Sequence, residues 1–252
     1  MFIGGGNTPR ISRLPSSIRR GPNFAPAPTV INSALVADNE LSGVNSRTLT
    51  MTGTSSAGTM LSWVGVLTAS FTGPPTANNS NTYTQQFSQN YGTDTLPTED
   101  YTMYTLRGYT STAAGGSDHT CTVTKSSGDA GELTIAMLLL SGGSIISSAV
   151  NIINRANTTG ATLTTGTVTV PSGNALLVAV GSGRGDVNDV APTQTWPGEW
   201  TVHQSVARNR ATAPSGHIPL YLATRSVGPG TYSVGIQMTN DEGILYGLYA
   251  VQ

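Results

Sequence analysis

Three features of the 252-residue sequence predict an all-β protein, an antiparallel β-sandwich or jelly roll preceded by an extended N-terminal arm. Past residue 37 the chain is a succession of short β-type runs, each closed by a cluster of Gly, Pro, Asn, Asp or Ser. Several of these runs alternate apolar and polar side chains with a period of two, the pattern of a strand with one wet face. Helical periodicity is nearly absent, so the sequence offers no crossover helices for a parallel sheet.

The arm comes first. Residues 1–37 contain Arg10, Arg13, Arg19 and Arg20, prolines at 9, 15, 22, 26 and 28, and no acidic side chain. Each proline removes a backbone donor and biases its predecessor toward extended conformations, and the segment has no apolar period on which to fold. Alone, such a segment is expected to be disordered. It should gain order by lying along a foreign surface, either an acidic groove on a protein partner or a neighbouring copy of the chain.

The body, residues 38–252, carries the strand signals in order. Runs at 48–51 and 60–71 end before the Gly73-Pro74-Pro75 turn, and a third spans 101–109. The run 119–125 contains Thr120-Cys121-Thr122-Val123-Thr124, with threonines on one side and Cys121 and Val123 on the other. Of the runs 132–140 and 175–181, the stretches 133–140 and 175–180 are almost continuously apolar, which predicts strands covered on both faces or lying mid-sheet. Further runs are expected at 161–170, 200–206, 218–225, 232–238 and 244–251. The stretch 144–156 is too rich in β-branched residues for a helix and reads as a connection. Asp241-Glu242-Gly243 reads as a hairpin turn before the last strand. No internal repeat appears at a fixed period.

Charged residues make up 10% of the chain against roughly 25% in an ordinary globular domain, and the net charge is -1. Solubility therefore rests on hydroxyls and amides, a surface that repels neighbours weakly and suits permanent assembly, although secreted β proteins share it. The body has no field to attract nucleic acid or an anionic membrane, so neither is expected as a partner. The single cysteine, Cys121, excludes an intrachain disulfide and reads as a small inward-facing hydrophobe. No run approaches the apolar length of a membrane helix. The glycine-rich start lacks the basic and apolar regions of a secretory leader, so synthesis in a cytoplasm is expected.

Candidate chemistry is sparse. A hydrolase would pair His119, His203 or His217 with a nucleophile and a carboxylate, yet no Gly-x-Ser-x-Gly elbow is present and His119 and His203 read as exposed strand-edge residues. The carboxylate pairs Glu99 with Asp100, Asp186 with Asp189, and Asp241 with Glu242 all fall in expected loops, where they are ordinarily solvated. His119 and Cys121 share a strand face but supply only two of the four ligands zinc needs, and Asp186-Val-Asn-Asp189 lacks the spacing of a calcium loop. Arg184-Gly185-Asp186 matches an integrin-binding tripeptide in an expected glycine-flanked loop, a match that recurs by chance. Trp196, Trp200 and Tyr221, with Tyr101, Tyr104 and Tyr109, suit either a sugar-stacking platform or core packing, and core packing is favoured. No catalytic residue, metal site or cofactor is assigned.

Read together, Met60-Leu-Ser-Trp-Val-Gly-Val, Tyr101-Thr-Met-Tyr-Thr-Leu-Arg-Gly-Tyr, His119-Thr-Cys-Thr-Val-Thr, the apolar run into Ser141-Gly142-Gly143, Ala175-Leu-Leu-Val-Ala-Val, Gly198-Glu-Trp200 and Tyr246-Gly-Leu-Tyr-Ala-Val form a familiar order. It resembles the β-sandwich domain common in virion proteins of tailed bacteriophages, over about residues 48–252, although Met137 to Leu140 stand where aromatics are usual. The resemblance implies a non-enzymatic particle component at the virion surface, made in the host cytoplasm. The arm points to a trimeric capsid decoration or cement protein that docks on the major capsid or another virion protein through Arg10, Arg13, Arg19 and Arg20. The alternative is a tail- or fibre-associated protein binding a host-surface glycan through Tyr104, Trp196 and Trp200.

Overall fold

The computed structural model describes residues 24–38, 46–52, 57–67, 73–78, 82–91, 104–113, 118–124, 133–154, 162–185, 194–206, 220–238 and 241–252. In chain order the strands are β1 (Val30–Asp38), β2 (Ser46–Met51), β3 (Gly58–Leu67), β4 (Thr84–Tyr91), β5 (Tyr104–Ala113), β6 (His119–Thr124), β7 (Leu133–Leu140), β8 (Ile145–Asn154) and β9 (Thr162–Thr164). They continue as β10 (Val168–Val170), β11 (Ala175–Gly185), β12 (Gln194–Thr195), β13 (Thr201–Val206), β14 (Leu220–Val227), β15 (Gly230–Tyr232), β16 (Gly235–Met238) and β17 (Asp241–Val251). All their pairings are antiparallel, and no helix occurs among the described residues. The all-β expectation is met.

Two five-stranded sheets form the sandwich, one in the order β1-β7-β3-β5-β4 and the other β13-β14-β11-β17-β8. Their facing sides meet through Leu61, Trp63, Ala136, Leu138 and Leu140 on one sheet and Leu176, Val178, Val180, Leu222, Tyr249 and Val251 on the other. Each sheet is also covered on its outer side. The β2-β6 ribbon lays Leu49, Met51, Cys121 and Val123 over Met60, Val64, Ile135, Met137 and Leu139. On the other sheet, Val168, Val170, Trp200, Val234 and Ile236 cover Leu177, Ala179, Tyr221 and Ala223.

The body is therefore four layers deep at its centre, which explains the two continuously apolar runs. All eight positions of β7 are buried, as are Ala175 to Gly181 of β11, because neither strand has a wet face. Each leucine so buried contributes about 1.5–3 kcal/mol relative to leaving it exposed. In β6 the pattern alternates as expected, with His119, Cys121 and Val123 buried.

Several expectations are corrected. The arm does not run to residue 37, because Val30–Asp38 is an edge strand paired with β7 from Val30↔Leu140 to Asp38↔Leu133. Its Leu35 faces the sandwich interior and Ala34 and Val36 face the β2-β6 layer, an apolar alternation that repays the ordering entropy. The stretch expected to be a connection at 144–156 is the edge strand β8, paired with β17, in keeping with its β-branched content. The run 161–170 is two strands in different sheets, and so is 232–238. The chain bends at both places, where Thr165 N donates to Val234 O (2.9 Å) and Val234 N donates to Thr165 Oγ1 (3.0 Å). Asp241 to Gly243 belong to β17 opposite Gly185 and Arg184, not to a hairpin turn.

The two long sides of the sandwich differ. On one, edge strands β1 and β13 meet, and Gln204 Nε2 donates to Ser33 Oγ at 2.8 Å. On the other, the edges are β4 and β8, and a trough opens between them.

Candidate functional site

The most elaborated surface among the described residues is the end of the sandwich where residues 24–29 cross it. Three pieces of chain converge there: the β7–β8 turn (141–144), the β10–β11 turn (171–174) and the C-terminal residue Gln252. Pro26 and Pro28 have no N–H, so the segment bonds through what remains. Thr29 N donates to Ser141 Oγ (3.0 Å), Ser141 N donates to Thr29 O (2.9 Å), and Asn174 Nδ2 donates to Ala25 O (3.2 Å).

Gln252 ties the two turns together. Its main chain exchanges hydrogen bonds with Ser144, at 2.8 and 3.0 Å, and its Nε2 donates to Ser172 O at 2.6 Å. Gly143 and Gly173 have φ of +96° and +75°, in the left-handed region that favours glycine. A Cβ on Gly143 would press on Pro28, and one on Gly173 would meet Gln252 and Phe24. Glycine at both positions is what lets the segment lie this close.

The resulting groove holds about 510 Å³, with a second hollow of about 450 Å³ between Pro26, Ala27, Asn174 and Val227. Among the described residues no ionisable side chain lines either one. Phe24, 43% exposed, sits at the upstream end of the segment. Among the described residues the lining offers hydroxyl, amide and main-chain groups, and the turns hold residues 24–29, which directly follow the basic stretch of the sequence. Arg10, Arg13, Arg19 and Arg20 lie outside the described residues.

The other singled-out residues are scattered. Trp200 is 7% exposed and packs in the core beside Tyr221 and Val234, and Trp196 leans on it with ring centroids 5.6 Å apart and planes tilted by 41°. Tyr104 opens β5 in the opposite sheet, paired with Leu67 and Tyr91, so the structure does not gather it with the two tryptophans. Tyr109 is buried under the β2-β6 layer, edge-on to Tyr83 at 6.4 Å. Tyr101 lies outside the described residues.

His119 is not an exposed edge residue: it is 1% exposed, on the buried face of β6. His203 is half-buried, with Nε2 2.7 Å from Thr224 Oγ1, and burial holds its imidazole below the usual value. Burial also pushes the Cys121 thiol up to about 12, leaving little thiolate at neutral pH. Arg184 and Gly185 are the last residues of β11 rather than a loop, while Asp186, Asp189, Glu99, Asp100 and His217 lie outside the described residues. Among the described residues no three His, Cys, Asp or Glu side chains gather as metal ligands would.

Sequence reasoning missed the end groove. Its signal was Ser141-Gly142-Gly143, which reads only as the end of an apolar run, and Pro171-Ser172-Gly173, one of the turn clusters that close the strands; only their meeting with residues 24–29 gives them a common role. No protein-family model matches the chain, nor does any curated protein or solved structure.

Proposed function

We propose that the chain is a structural component of a virion, a capsid decoration or cement protein that attaches through residues 1–23 and stabilises the particle. The observation that carries this reading is the clamp on residues 24–29. A cationic stretch bearing Arg10, Arg13, Arg19 and Arg20 and no acidic residue directly precedes, in sequence, a segment held by two turns and Gln252. Anchoring the residues next to a docking strap reduces the entropy that the strap must lose when it binds. The body fits the role: its apolar faces are consumed by its own four layers, and its sparse charge suits close packing among neighbours. The likeness to phage β-sandwich domains supplies the particle, and the partner is the major capsid or another virion protein. A tail-associated, glycan-binding role through Tyr104, Trp196 and Trp200 is less well supported, because Trp200 is core and Tyr104 belongs to another sheet.

The test compares the full chain with a variant lacking residues 2–22, each mixed with parent particles stripped of this protein and then sedimented. The shortened chain should keep its thermal transition and remain in the supernatant. Full occupancy by the shortened chain would refute the proposal. So would proteolysis of the isolated full chain showing residues 1–23 as protected as the sandwich itself.

A further inference from the structure

We infer that the open side of the sandwich is a binding trough for a neutral saccharide. The inward face of a sandwich sheet is ordinarily apolar, and on β1, β7 and β3 it is, with Leu35, Ala136, Leu138, Leu61 and Trp63. One strand further the same face carries Thr110 and Thr112 of β5 and then Thr84 of β4, with Thr59 at the start of β3. Register sets Thr59 opposite Thr112 and Thr110 opposite Thr84. Adjacent strands are about 4.8 Å apart and alternate residues about 6.7 Å, so these four threonines form a grid of hydroxyls.

Gln86 completes it. It is the extra residue of the bulge between Gln85 and Phe87, and its Nε2 donates to Thr110 Oγ1 (2.7 Å) and Thr84 O (3.3 Å). The bulge thus re-aims an edge side chain onto the grid. The far wall is the β7–β8 turn and Ile145, held in place where Thr59 Oγ1 donates to Gly143 O at 2.7 Å.

The trough holds about 550 Å³, within the size of small-ligand sites, and among the described residues no ionisable side chain lines it. A charged ligand would leave its hydration for no counter-charge, and an apolar one would strand the hydroxyls without partners. A neutral polyol suffers neither cost, because each threonine hydroxyl both donates and accepts. The threonine methyls and Ile145 meet the C–H faces of a sugar ring. This site is independent of how residues 1–23 attach, and it differs from the aromatic glycan surface expected from the sequence.

The test is amide NMR titration of the full chain with neutral trisaccharides (maltotriose, cellotriose, N,N′,N″-triacetylchitotriose), with trigalacturonate as the anionic control. At least one neutral probe should saturably shift the amides of Gln86, Thr110, Thr112 and Ser144. Gln86→Ala and Thr110→Val should each weaken that binding at least tenfold while the remaining amides stay in place. The inference falls if no neutral probe moves these amides at about 10 mM, where a site of Kd about 1 mM is nine-tenths filled. It also falls if only the anionic probe binds, if the shifts gather at Trp196 and Trp200, or if both variants bind as the parent does.

Discussion

Replacing Gly143 by alanine sets a methyl group against the root of the arm. At the observed φ of +96° a residue with a Cβ is held in a sparsely populated region, at a cost of about 1–3 kcal/mol. The new Cβ would stand 2.7 Å from Pro28 Cγ and 3.1 Å from both Gln252 O and Val251 Cγ1. Val251 ends β17 and Gln252 is bonded to Ser144 and Ser172, so neither retreats readily. Pro28 yields instead and carries Thr29 away from Ser141, losing two hydrogen bonds of about 1 kcal/mol each. The total is about 3–5 kcal/mol, which at about 2–4 °C per kcal/mol for a chain of this size lowers Tm by about 6–20 °C. Scanning calorimetry of the full chain measures the shift, and limited proteolysis reports release of residues 24–29. Gly198→Ala is the control, because a Cβ there meets nothing within 4 Å. Equal Tm values for the two variants, with residues 24–29 still protected in Gly143→Ala, would refute the reasoning.

Two further outcomes follow from burial. Because His203 is held neutral in the folded state, the unfolded chain binds more protons near the usual histidine value. Its contribution to stability is present above that value and is lost as pH falls through it toward the depressed native value. The urea midpoint should therefore drop between about pH 7.5 and pH 5, and His203→Gln should flatten part of that slope; an unchanged slope would remove His203 from the account. Cys121, fully buried with its thiol pushed up to about 12, should react with a disulfide reagent at least about a thousandfold more slowly in native buffer than in urea, since only the rare open state exposes it. Reaction within the mixing time in native buffer would contradict its placement.

Most strands were legible because their local pattern and their tertiary role coincide. Thr120 to Thr124 alternates in sequence and alternates in burial, and the unbroken apolar runs of β7 and β11 mark strands with both faces covered. The failures lie where a segment's partner is remote. Val30 to Ala37 looked like the tail of a proline-rich arm, yet its alternation becomes a strand once β7, about a hundred residues later, offers an edge. β8 could not be told from a connection because an edge strand needs only one apolar face, and β4 reads as a polar run because its inward face opens on a trough rather than a core.

Fold class, antiparallel habit, the buried strands and the basic, acid-free character of the first residues can all be read from the chain alone, because each is a property of composition or of period along it. How many layers cover the sheets, where the first edge strand begins, which turns hold residues 24–29 and which half of an inward face is left wet emerge only in the folded molecule. Those are questions of which surfaces meet. Every candidate pairing buries apolar area at a similar gain per Å², so the choice among them is made by long-range register and packing, which no local window of residues contains.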